Sequence, residues 1–158
     1  MTTSSASEAT KVVRALRAAH LHDEGRQALL QMTCERIRAW GPPYTSVYAY
    51  MLHDNELVLE AHAGRDTDHT RIPVGKGVCG TAARDRKSIV VPDVNAFPGH
   101  IACDSASRSE IVVPLVRFGK VIGVLDLDSP NLARFDDEDW RGLEALAEVL
   151  LNAADIGD

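Results

Sequence analysis

Residues 110–128 read EIVVPLVRFGKVIGVLDLD. Two apolar runs rich in valine, isoleucine and leucine flank Arg117-Phe118-Gly119-Lys120, the composition of a β-hairpin. On the second run Asp126 and Asp128 stand two apart, so a strand points both carboxylates to one face. Where Glu110 points depends on the turn. A two-residue Phe118-Gly119 turn pairs Arg117 with Lys120 and sends Glu110 to the face opposite the aspartates. A three-residue loop with Gly119 in a left-handed bulge pairs Val116 with Lys120 and turns Glu110 toward Asp126. In the second case three carboxylates share one wall. Such a wall suits a substrate ammonium group, or a step that needs a carboxylic acid with a raised pKa.

Upstream of this hairpin the pattern alternates between strand and helix. SVYAYMLH (Ser46 to His53) and ELVLEAH (Glu56 to His62) read as a second hairpin about Asp54-Asn55. Arg71 to Val74 and Ser88 to Val91 are short strands, with Pro92 ending the latter. Gly77 to Ala83 starts a short helix after a glycine-rich turn. Asn95 to Asp104 (NAFPGHIACD) has too few apolar positions for a core element, and a loop of that length in a compact domain is usually functional. Helical spacing runs from Ser7 to Leu21, from Asp23 as cap to Ala39, and from Phe135 to Leu151 with Asp136 or Asp137 as cap. The order predicts an α+β sandwich: a central antiparallel sheet, N- and C-terminal helices on one face, and a pocket on the other. Residues 1–6 read as a frayed tail and 7–158 as one domain.

The totals agree with a chain of this size folding as a single soluble unit. It has 158 residues, 45% hydrophobic and 25% charged, with 17 basic and 23 acidic side chains for a net charge of -6. That balance, with no basic stripe among aromatics, argues against nucleic acid as partner. No apolar run is long enough for a bilayer, and MTTSSASEAT lacks a signal-peptide core, so the expected compartment is the cytoplasm with no membrane partner. Three cysteines are too few for a secreted disulfide framework.

Those cysteines differ in setting. Cys34 lies on the apolar flank of a helix and reads as a small buried hydrophobe. Cys79 enters a helix after Gly75 and Gly77, where the helix dipole favours a thiolate. Cys103 lies in the long loop beside Asp104, so local electrostatics alone make Cys79 the better thiolate. A zinc site from His69, His100, Cys79 and Cys103 lacks ligand spacing such as C-x-x-C, and GKGVCG lacks the ending of a phosphate-binding loop. No cofactor or metal is expected.

RIPVGKGVCGTAA, VPDVNAFPGHIACDSASRSEIVVPL, VIGVLDLDSP and RFDDEDWRGLEALA together resemble the free methionine-(R)-sulfoxide reductases, small stand-alone GAF domains. The resemblance covers about Arg71 to Ala147. It implies that Cys103, in IACD, attacks the sulfoxide sulfur and becomes a sulfenic acid. Cys79, in GVCG, then closes a disulfide, which thioredoxin or a similar dithiol reopens. Glu110 and Asp128 match carboxylates that help protonate the oxygen, and Asp126 matches one that holds the substrate amino group. Ile101, Ala102, Asp104 and Tyr48 complete the implied binding site, and family habit implies a homodimer. Many members carry a further cysteine where this chain has His69, so the sequence resembles the two-cysteine subtype. The family's pocket tryptophan is absent from Tyr44-Thr45-Ser46-Val47-Tyr48, where Tyr44, Tyr48 or Tyr50 takes its place. The competing reading is a GAF sensor of a small ligand or of redox state, without catalysis.

Overall fold

The computed structural model describes residues 11, 14, 25–39, 46–101 and 106–152. The expected helix from Ser7 to Leu21 lies outside them, apart from Lys11 and Arg14, which are helical and exposed. Asp23, the expected cap of the next helix, also lies outside.

Six strands form one sheet: β1 (Ser46–His53), β2 (Glu56–Gly64), β3 (Arg71–Pro73), β4 (Ile89–Val91), β5 (Ser109–Arg117) and β6 (Lys120–Ser129). Their spatial order is β3-β2-β1-β6-β5-β4, with every pair antiparallel. The long strands are central, and the two edges are three-residue strands that offer little to pair with another chain.

Alternation along the strands makes two cores. On one face Val47, Ala49, Met51, Ile111, Val113, Leu115, Leu125 and Leu127 pack under α1 (Arg26–Arg38) and α3 (Asp137–Leu151). Helix α1 contributes Leu29, Leu30, Cys34 and Ile37, and α3 contributes Leu143, Leu146, Ala147 and Leu150. Each is an i, i+3/i+4 stripe, the spacing that buries one side of a helix. Cys34 is fully buried there, and burial pushes its thiol up to about 12, which leaves it inert. On the other face Tyr48, Tyr50, Val112 and Val124 pack under α2 (Gly77–Asp85) through Val78, Cys79, Ala82 and Ala83.

Helix α3 begins two residues later than Phe135, because Asp136 caps it. The Asp136 carboxylate accepts from the Asp139 N–H (2.9 Å), and Asp139 accepts from the Asp136 N–H (2.9 Å). The Asp139 N–H that donates to it holds the Asp136 carboxyl below its usual range. Asp136→Ala will lower stability by about 1 kcal/mol, as urea unfolding at neutral pH will read. Helix α1 has Gly25 at its N-cap and no side-chain cap.

The β5–β6 hairpin has the two-residue turn, but not the orientation of Glu110 that this turn alone would give. The turn has two residues, Phe118 (φ 52°) and Gly119 (φ 77°), and Arg117 pairs with Lys120. That alone would put Glu110 on the far face. Between Val116↔Val121 and Leu115↔Gly123, however, β6 carries one extra residue, Ile122, and every pair beyond it shifts by one. Glu110 therefore pairs with Asp128, on the pocket face. Gly123 follows the bulge because β1 passes too close for a side chain. A Cβ there would lie 2.5 Å from Tyr50 O and 2.6 Å from Met51 Sδ.

Candidate active site

The pocket-face strands deliver the acidic groups, and α2 delivers a thiol above them. Tyr48 pairs with Asp126, Ser46 with Asp128, and Glu110 with Asp128, so three carboxyl groups stand on adjacent strands of a rigid ladder. Glu110 is 2% exposed, Asp126 0% and Asp128 1%. Cys79, in the first turn of α2, is 4% exposed. One ligand atom each from Cys79, Glu110 and Asp126 lies within 4.8 Å of the other two.

The helix start is shaped by glycine. Gly75 and Gly77 take positive φ (92° and 63°), and a Cβ on Gly77 would meet the Ile101 side chain at 2.9 Å. A Cβ on Gly80 would meet Pro73 O at 2.6 Å, so α2 sits against the end of β3 as closely as backbone permits. A narrow cleft too tight to hold a water molecule results, lined by Ile72, Lys76, Gly77, Val78, Cys79, Ile101 and Glu110. A larger groove of about 500 Å³ lies between α3 and the β4–β5 side, and neither Cys79 nor the three carboxyl groups line it.

Burial without compensation dominates the electrostatics. Glu110 is pushed up to about 8, by burial first and by repulsion from Asp128 second, while its polar contact with the Asp126 carboxyl opposes the rise. Asp126 is raised well above the usual carboxylate range, by burial and then by Glu110; the Cys79 thiol and His100 act the other way. At neutral pH Glu110 thus holds a proton and is a carboxylic acid. His100 is lowered, because burial outweighs its attraction to Asp126, and its Nε2 lies 3.4 Å from Glu110 Oε1. Ser107 donates its hydroxyl to Asp128 Oδ1 (2.8 Å).

The residues singled out in the sequence divide as follows. Cys79, Glu110, Asp126, Asp128 and Tyr48 come together at this pocket, and Ile101 lines its mouth over Gly77. Ala102, Cys103 and Asp104 lie outside the described residues. The hydroxyls of Tyr48 and Tyr50 do not point at the acids: they donate to Arg65 O and His69 O, both at 2.8 Å, and tie the β2–β3 loop to the sheet. His69 enters through its backbone. Sequence reasoning missed Ser107 as the partner of Asp128 and His100 as the neighbour of Glu110. Nothing local marks Ser107; His100 entered the sequence reading only as a member of the rejected zinc set and a letter of GHIACD.

Residues 23–153 match the family model described as GAF domain. The chain belongs to the GAF domain family. Among solved structures, this GAF domain matches a putative GAF sensor protein from Burkholderia vietnamiensis at 42% identity and a TM-score of 0.90, covering 99% of this chain and 100% of that one. It matches the free methionine-R-sulfoxide reductase of Neisseria meningitidis, solved in complex with its substrate, at 38% identity and a TM-score of 0.89, covering 99% and 94%. The free methionine-R-sulfoxide reductase of Escherichia coli K12 is 52% identical over 101 residues, 64% of this chain and 61% of that protein. The matched segment spans about three fifths of the length of the first curated relatives. Among the described residues of this GAF domain no helix is long and apolar enough to cross a membrane.

Proposed function

We propose that this GAF domain reduces free methionine-(R)-sulfoxide to methionine with its own thiols. The observation that carries the reading is the protonated Glu110 packed against Cys79 and Asp126 on one buried wall, in a chain similar to proteins named for that activity.

The pocket chemistry matches the demands of the substrate. A free amino acid brings an ammonium group, and Asp126 is a fully buried carboxyl with no formed hydrogen bond to either oxygen. An ammonium beside it compensates the carboxylate that burial disfavours, so Asp126 ionises as the substrate binds. The sulfoxide oxygen must be protonated before sulfur accepts a nucleophile, and Glu110 holds a proton at neutral pH for that transfer. Ser107 fixes Asp128 beside it.

In the proposed cycle the Cys103 thiolate attacks sulfur while Glu110 protonates oxygen. The oxygen passes to Cys103 as a sulfenic acid and methionine leaves with its sulfur reduced. Cys79 attacks the Cys103 sulfur, water leaves, and a Cys79–Cys103 disulfide forms. A thioredoxin-type dithiol supplies two electrons and two protons to reopen it. With His69 at the position of the family's further cysteine, Cys79 is the resolving thiol of a two-cysteine subtype.

The test incubates the reduced chain with each epimer of free methionine sulfoxide and dithiothreitol or thioredoxin, and measures methionine. The R epimer alone should turn over, and Cys103→Ser should remove the activity by at least about 10⁴-fold, as loss of a covalent nucleophile does. Failure to form methionine, together with a thermal shift caused by another small ligand, would replace this reading by a sensor.

A further inference from the structure

Glu110 Oε1 and both oxygens of Asp126 are buried without a formed hydrogen bond. They share the pocket with the sulfur of Cys79, one ligand atom from each of the three residues lying within 4.8 Å of the others. Deprotonated, the two carboxyl groups and the thiol are three anionic ligands presented to one point. A divalent cation is the partner that engages all of them at once.

We propose that the reduced chain binds one thiophilic divalent cation of the Zn²⁺ class through Cys79, Glu110 and Asp126, and that the cation closes the pocket to substrate. Tetrahedral zinc, with Zn–S about 2.3 Å and Zn–O about 2.0–2.2 Å, holds neighbouring ligand atoms about 3.3–3.8 Å apart. Separations of at most 4.8 Å are within about 1.5 Å of that edge. Side-chain rotation covers the difference, with no strand displaced. Glu110 and Asp126 are presented by adjacent paired strands, and Cys79 by the first turn of a helix packed on them, so the triangle is rigid at its base. His100 Nε2 lies 3.4 Å from Glu110 Oε1, outside the triangle of Cys79, Glu110 and Asp126, and water completes the coordination. A mixed sulfur and oxygen set favours zinc over magnesium and calcium, which take oxygen alone in larger shells.

The cation would hold the sulfur that closes the disulfide and the acid that protonates oxygen, so it inhibits. The inhibition rests on the reductase reading; the binding does not.

Cobalt replaces zinc as a visible probe. Co²⁺ titrated into the reduced full chain should give a thiolate-to-cobalt charge-transfer band that saturates at one ion per chain. The band should vanish in Cys79→Ser, persist in Cys34→Ser, and require at least roughly tenfold more Co²⁺ in Asp126→Asn. In the unsubstituted chain, where no variant has to fold, Zn²⁺ should slow iodoacetamide labelling of Cys79, read peptide by peptide, at least roughly tenfold. A band that survives Cys79→Ser, or Cys79 labelling unchanged by Zn²⁺, overturns the site. Zn²⁺ should also stop methionine formation, and EDTA restore it. Binding in a chain that forms no methionine even without metal leaves the site standing and removes the reductase. Methionine formation that proceeds with no binding does the reverse.

Discussion

At about pH 9 Glu110→Gln will unfold at a higher temperature than the parent chain, by on the order of 5–10 °C, while at about pH 4 the two will nearly coincide. The sign follows from Glu110 being raised from 4.5 to about 8 in the folded chain. Below 4.5 the carboxyl is protonated folded and unfolded, and pH has no leverage through it. From there to about 8 the unfolded chain gives up the proton while the folded chain keeps it, so stability falls as pH rises, by up to about 1.4 kcal/mol per unit. Above about 8 both states are ionised and the loss is complete. Glutamine has no charge to bury and removes this decline. Asp126→Asn acts in the same direction, since Asp126 is raised by the same burial. Unfolding temperatures taken across the range, with methionine formation measured alongside, test the pair of claims. Glu110→Gln should lose about 10²–10⁴-fold in turnover while gaining alkaline stability. Parallel stability curves for parent and variant would mean that Glu110 is not a buried acid.

The second large effect belongs to a residue that touches no substrate. Gly123→Ala should cost about 3 kcal/mol or more, because the new methyl would sit 2.5 Å from Tyr50 O and 2.6 Å from Met51 Sδ. The methionine tip can swing away; the carbonyl belongs to the β1 strand that pairs with β6 and cannot. Relief requires β6 to separate from β1 beside the bulge that sets the register of Glu110. Gly99→Ala is the control: its φ is +73°, but a Cβ there meets nothing within 4 Å, so only backbone strain of about 1 kcal/mol is at stake. Urea midpoints of the two variants give the comparison. If Gly123→Ala unfolds no earlier than Gly99→Ala, the close approach of β1 and β6 is wrong.

Strand and helix periodicity carried most of the architecture. Val47, Ala49 and Met51 turn one way and Tyr48 and Tyr50 the other because side chains alternate on any strand, whatever its neighbours. The stripe Leu143, Leu146, Ala147 and Leu150 is equally local. Asp126 and Asp128 had to share a face for the same reason, and Asp136 had to cap a helix because its carboxylate reaches the N–H groups of the next turn.

Whether Glu110 joined the two aspartates was a question of pairing. The extra residue at Ile122 has no signature in KVIGV; it is stabilised by a neighbouring strand that leaves no space at Gly123. Ser107 and His100 reach the acids from the segment leading into β5, which only the fold lays beside β6, and the proton on Glu110 is held by burial, which requires every layer to be in place. Direction along a chain is a local property and was readable from residue order. Register, closeness and the loss of water are properties of packed elements, and only the tertiary structure supplied them.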